Sequence, residues 1–130
     1  MRTIALIALL SASSAFAASE ADREKAFKAD IAPLLEKSCA NCHDPKKAKN
    51  GKVKSGFNSS SLADVIKGGT DDGVGITWGD ASKSSLYKSV NMALTDPEHD
   101  DAMPPKKSQE KNPPLTKEQV AKIKAFIEAK

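Results

Sequence analysis

The residues best suited to chemistry are two cysteines and a histidine within five consecutive positions. Cys39, Cys42 and His43 form the pattern C-x-x-C-H in the segment CANCH, which is the attachment sequence for c-type haem. On one helical turn, two thiols at this spacing can each add to a vinyl group of a porphyrin. The histidine that follows then faces the iron from the same side. The motif therefore predicts one covalent haem c with its iron bound by the histidine.

Three other uses of these residues predict different surroundings. A thioredoxin-like dithiol follows a β-strand, whereas a helical pattern precedes Cys39. A zinc site needs four ligands, and the two histidines are His43, which adjoins Cys42 and would strain the site, and His99. A disulfide between the two cysteines would close a very small loop and stabilise the fold little. We therefore favour the haem prediction.

The composition is that of one small domain with a sparse core. Of the 130 residues, 39% are hydrophobic and 5% are aromatic, and so small a domain often needs a metal or cofactor for stability. A porphyrin would supply a large apolar body around which short helices can pack. The formal net charge of +3 is too small to favour nucleic acid as a partner.

The first seventeen residues have the pattern of a secretory signal peptide rather than of a buried helix. Arg2 gives a positive start, residues 4–10 are an apolar run, and the AFA tripeptide at 15–17 has the form of a signal-peptidase site. The run is shorter than the roughly 20 residues that span a bilayer. We predict that residues 1–17 are removed on export to the periplasm and that 18–130 form a single domain without a membrane span.

Apolar spacing predicts a helix at each end of the mature chain. Over 18–37, apolar residues recur at helical intervals: Phe27, Ile31, Leu34 and Leu35. Pro33 predicts a kink or restart in this helix, with Asp30 as the N-cap. Thr116 and Gln119 form a capping box before the apolar stripe of the last helix, which consists of Val120, Ile123 and Ile127 with Phe126 beside it.

Shorter elements and loops connect these two helices. We predict a helix over 62–67 that ends at Gly68, and another over 82–92. The polar, lysine-rich 44–60, the glycine-rich 70–80 and the proline-rich 91–115 are predicted loops. Because no stretch alternates as a β-strand would, the predicted fold is all-α with long loops.

Five segments together resemble the class I cytochromes c, and more narrowly the small planctomycete-type cytochrome c domains of bacteria. They are IAPLLEKSCANCHDP, LADVIKGG, GDASKSSLYKSV, AMPP and LTKEQVAKIKAFIEAK. The resemblance implies the class I fold, in which the N- and C-terminal helices pack across each other around a covalent haem. Phe27 and Ile31 would then contact Ile123 and Phe126.

The same resemblance implies His43 as the proximal iron ligand and Met103, in the Met-Pro element, as the distal ligand. Met92 follows a helical pattern and is better explained as a core residue. His99 lies among four acidic residues that favour water. Trp78 departs from the family pattern. It can pack on the haem edge or donate its N–H to a propionate, or it can be an ordinary core tryptophan.

These features predict a monomeric one-electron carrier that exchanges electrons with redox proteins. The alternative is a haem enzyme or sensor of peroxidase-like or gas-binding type, which needs a labile distal ligand, and an enzyme of this kind also needs acid–base groups over the iron.

Five lysines in the loop at 46–54 form either a solvated face or a docking surface for partners; they are Lys46, Lys47, Lys49, Lys52 and Lys54.

Overall fold

The computed structural model describes residues 18–129, and in this range the chain is all-α, without a β-strand, as predicted. The α-helices are α1 (Glu20–Ala26), α2 (Ala32–Ser38), α3 (Ala40–His43), α4 (Leu62–Lys67), α5 (Ser85–Thr95) and α6 (Lys117–Glu128). None of the helices in this range is long and apolar enough to cross a membrane. The predicted signal segment at 1–17 lies outside the described residues.

The N-terminal helical region is divided by one wide turn. A π-helical turn, Phe27–Ile31, connects α1 to α2. Pro33 lies in the first turn of α2, where its missing N–H costs no helical hydrogen bond. The predicted restart near this proline is therefore confirmed. The predicted N-cap is wrong, because Asp30 lies inside the π-helical turn and Ile31 precedes α2 without a side-chain cap.

The last helix packs against this wide turn, as the resemblance implied. The capping box at its start is present, with Thr116 N–H donating to Gln119 Oε1 at 2.9 Å and Gln119 N–H donating to Thr116 Oγ1 at 3.3 Å. The rings of Phe27 and Phe126 lie 6.2 Å apart between centroids. Burial of this apolar surface, which includes the fully buried Ile123, holds the two ends of the domain together.

The middle of the chain follows the predicted pattern with shifted boundaries. Helix α4 has the predicted bounds and ends at Gly68, whose φ of 82° suits glycine. Helix α5 begins later than predicted, at Ser85, and extends to Thr95, so the long loop before α6 begins at 96. The later start reflects Ser84, whose hydroxyl accepts from Thr77 N–H at 2.8 Å and donates to the Asp80 carbonyl at 2.9 Å. These side-chain bonds favour a turn over helix.

Candidate functional site

The C-x-x-C-H motif forms a single helical turn, with Cys39 at the N-cap of α3 and the other four residues within the helix. The main-chain N–H groups of Cys42 and His43 both donate to the carbonyl of Cys39, at 3.1 and 3.0 Å. Both cysteines are free thiols and are half-buried. The one-turn geometry predicted from the spacing is therefore present.

Two cavities that share Cys39, His43 and Met103 form what we call the cleft. The larger cavity is lined mainly by α5 and by residues on either side of α4, and its apolar walls include Phe57, Leu86 and Val90. The smaller cavity is lined by the end of α2, by α3 and by the proline-rich loop. They include Ser38, Cys42, Pro104, Pro105, Ser108 and Asn112.

The imidazole of His43 is oriented by one main-chain carbonyl. Its Nδ1 lies 3.2 Å from the carbonyl oxygen of Phe57, and the two rings meet edge to face at 5.2 Å between centroids. Because a carbonyl can only accept, Nδ1 carries the proton and Nε2 keeps its lone pair. Burial lowers the pKa of His43, and the Phe57 carbonyl opposes part of this change. The imidazole is thus neutral at neutral pH, in the form that binds a metal.

Met103 enters the cleft from the loop that follows α5. Its main-chain N–H donates to the carbonyl of Ser89 on α5 at 3.0 Å, and the residue before it, Ala102, is fully buried. The Met103–Pro104 peptide bond is cis. The structure therefore brings the thioether and the imidazole of His43, which are far apart in the chain, to the walls of the same cleft.

The other two candidates for an iron ligand do not line the cleft. Met92 is half-buried on α5. The side chain of His99 is 43% exposed, and its Nδ1 accepts a hydrogen bond from the Asp101 N–H at 3.1 Å. Neither residue is among those that line the two cavities.

Trp78 also lies away from the cleft. Its ring meets that of Phe126 edge to face at 5.3 Å between centroids, and the guanidinium of Arg23 lies 4.3 Å above it. It borders a separate groove between α1 and α4. Trp78 is therefore a partly buried residue that packs against the core, and the proposed site does not include it.

The environment of the cysteines disfavours the redox and zinc uses of the motif. Burial, with a contribution from Cys42, raises the pKa of the Cys39 thiol to about 12, whereas a reactive dithiol needs a lowered pKa. Within residues 18–129, no three His, Cys, Asp or Glu side chains are grouped closely enough to hold a metal ion by themselves. The donor set that remains is two thiols, an imidazole and a thioether beside apolar walls, which fits a covalent haem c.

The lysine-rich loop at 46–54 lies on the surface, and the residues that follow it in the chain line the cleft. All five of its lysines are exposed, and among them Lys47 pairs with Glu36. Ala48 is buried and anchors the loop. Downstream, Ser55 and Phe57 line the larger cavity. The cationic surface is therefore continuous in the chain with one wall of the cleft.

Three residues of the site had no signal in the sequence. The Phe57 carbonyl orients the histidine, the Ser89 carbonyl holds the methionine loop, and Asn112 is a buried amide beside both cysteines. The first two act through main-chain oxygens, which every residue type has. For Asn112 the sequence offered at most a weak signal, which is the presence of a polar residue inside a proline-rich loop.

Comparison with known proteins adds one finding. A family model described as Planctomycete cytochrome C matches residues 39–107, a range that runs from the first cysteine of the motif to just beyond Met103. Neither the curated proteins nor the solved structures contain a significant match to the chain.

Proposed function

This chain belongs to the planctomycete cytochrome c family, and we propose that it is an exported electron carrier with one haem c bound through Cys39 and Cys42. The observation that carries the proposal is the meeting of His43 and Met103 at one cleft that also holds both free thiols. Imidazole with thioether is the axial pair of electron-carrying cytochromes c.

Each residue of the cleft has a distinct part in this proposal. The Nε2 of His43 would bind iron, since its Nδ1–H is held by the Phe57 carbonyl, and the thioether of Met103 would supply the second protein ligand. The apolar side chains of Leu86 and Val90 keep water from the site. When bound, haem c supplies a one-electron Fe(III)/Fe(II) couple, whose potential a methionine ligand raises relative to two histidines.

The carrier proposal is favoured over the enzyme alternative by the residues around the cleft. A haem enzyme needs an open coordination position and an acid–base group above the iron. Of the two histidines, His43 is the proposed proximal ligand and His99 is exposed outside the cleft, and the one carboxylate on the cleft wall, that of Asp72, is exposed to solvent. With Met103 bound, no coordination position is open to a substrate.

Export to the periplasm, with removal of residues 1–17, is part of the same proposal. It is supported by the signal-peptide pattern and by covalent haem attachment, which bacteria complete outside the cytoplasm. Mass spectrometry of the periplasmic fraction tests both points, because the mature chain should begin near Ala18 and carry the mass of one haem. A chain that keeps its first seventeen residues would contradict the export proposal.

The spectrum of the purified protein tests the carrier proposal. We expect six-coordinate, low-spin iron in both oxidation states, with a sulfur-to-iron charge-transfer band in the ferric form. High-spin iron that binds carbon monoxide without a substitution would favour the enzyme or sensor alternative instead.

We also propose that the lysine-rich loop docks acidic redox partners. Lysines crowd 46–54, while acidic residues gather in the loop before Met103: Asp96, Glu98, Asp100 and Asp101. One of these acids, Glu98, is partly neutralised by Lys106 at 3.1 Å. From this separation along the chain we predict that the molecule is dipolar despite its small net charge, and a dipole steers association at low salt.

A further inference from the structure

The turn that follows the methionine is folded by hydrogen bonds within itself. Gln109 Nε2 donates to the Pro104 carbonyl at 3.1 Å, and Ser108 Oγ donates to the Pro105 carbonyl at 3.0 Å. These bonds connect residues that are close in sequence. They shape the turn at 104–112, but they do not hold it at a given distance from the haem motif.

One buried amide connects this turn to α3. Asn112 is 6% exposed and lines the smaller cavity together with Cys42 and Met103. Its Nδ2 donates to the Ser108 carbonyl at 3.3 Å, and its Oδ1 accepts from Asn41 Nδ2 at 2.9 Å. Asn41 lies between the two cysteines of the motif, so this bond joins segments that are 71 residues apart in the chain.

Met103 is therefore held between two tethers on different walls of the cleft. Its own N–H is bonded to Ser89 on α5 at 3.0 Å. The turn after it is bonded to α3 through Asn41 and Asn112 at 2.9 Å. Breaking either tether leaves a polar group of the loop without its partner, and a buried group such as the Asn112 amide is costly to leave unpaired.

We propose that Asn112 is a positioning residue for the distal ligand, which it holds toward the iron through its hydrogen bond to Asn41. This inference rests on the proposed role of Met103. Loss of the bond increases the fraction of molecules in which the loop is open and the thioether is off the iron. Because an added ligand binds only that open fraction, its apparent affinity reports how firmly the loop is held.

The test is a titration of the ferric holoprotein with imidazole, followed by loss of the sulfur-to-iron charge-transfer band. Asn41→Ala should tighten imidazole binding about three- to tenfold, the ratio that corresponds to one net hydrogen bond. Asn112→Ala should have at least that effect. Glu110→Gln, an exposed change in the same turn, is the matched control and should leave the affinity unchanged.

The double variant tests whether the hydrogen bond between the two asparagines carries the effect. If the hydrogen bond carries the effect, Asn41→Ala should change nothing further in the Asn112→Ala background. Additive effects, or an Asn41→Ala protein with the affinity of the unmodified protein, would overturn the inference. If Asn112→Ala does not fold, the imidazole affinity of Asn41→Ala tests the inference by itself. This variant should fold, because Asn41 is exposed.

The proposed function and this inference fail in different ways. If the unmodified protein has no sulfur-to-iron band, or if Met103→Ala keeps it, the assignment of the distal ligand is wrong and the inference falls with it. If Met103→Ala abolishes the band but the asparagine variants bind imidazole as the unmodified protein does, only the inference is wrong.

Discussion

Replacement of Met103 by alanine is the most direct test of the proposed iron ligands. The substitution removes the thioether but keeps the main-chain N–H that donates to Ser89, so the loop retains this anchor on α5. We expect the sixth coordination position to open, the ferric iron to shift toward high spin, and the ferrous form to bind carbon monoxide. Met103→His should restore low spin and lower the potential.

The variant should remain folded, so that a spectral change reports coordination. A fully buried Met→Ala change costs roughly 2–5 kcal/mol. Because Met103 is half-buried, we expect the packing loss to be about half of that, or about 1–2.5 kcal/mol. Domains of this size are stable by about 5–15 kcal/mol, which leaves most molecules native at 25 °C.

The assay is the absorption spectrum of both oxidation states with and without carbon monoxide. Met92→Ala is the matched control, because Met92 is also half-buried but lies outside the cleft. It should lose similar packing and keep the native spectrum, as should His99→Ala. The reasoning is refuted if Met103→Ala keeps a methionine-ligated spectrum while Met92→Ala or His99→Ala loses it.

Three further predictions concern the core, the surface and one glycine. Replacing Cys39 and Cys42 by alanine should abolish covalent haem and leave a largely unfolded apoprotein by circular dichroism, because the sparse core lacks its cofactor. Replacing Lys52 and Lys54 by glutamine should slow electron transfer to an acidic partner at low salt and weaken its dependence on ionic strength. Gly75→Ala should destabilise the fold by about 3 kcal/mol or more in denaturant unfolding, because its Cβ would overlap a main-chain carbonyl of α4.

Each of these three predictions has a control variant or an outcome that would contradict it. A native-like helical spectrum of the double cysteine variant without haem would show that the core is self-sufficient. Lys117 and Lys124, exposed on α6, provide a charge-matched pair whose neutralisation should affect the rates less than the loop pair does. Gly73→Ala meets no atom within 4 Å and should cost only about 1–3 kcal/mol for its positive φ.

Local interactions made several parts of the molecule predictable. The haem motif occupies one helical turn, α4 ends at Gly68, and Thr116 caps α6. In each case the bonds that decide the conformation join residues at most four positions apart. The prediction at Asp30 was wrong because an aspartate can cap a helix only at the residue before its first turn. Where that helix begins depended on more than the local residue types.

The sequence by itself determined which chemical groups are present and how the motif is spaced, since these depend on near neighbours. The resemblance to the cytochromes c implied Met103 rather than Met92 or His99 as the distal ligand, but only the tertiary structure showed that Met103 lines the cleft with the motif. It also decided that Trp78 packs on Phe126. These outcomes depend on the packing of α1, α5 and α6 and on hydrogen bonds between distant segments, for which a stretch of local sequence has no signal.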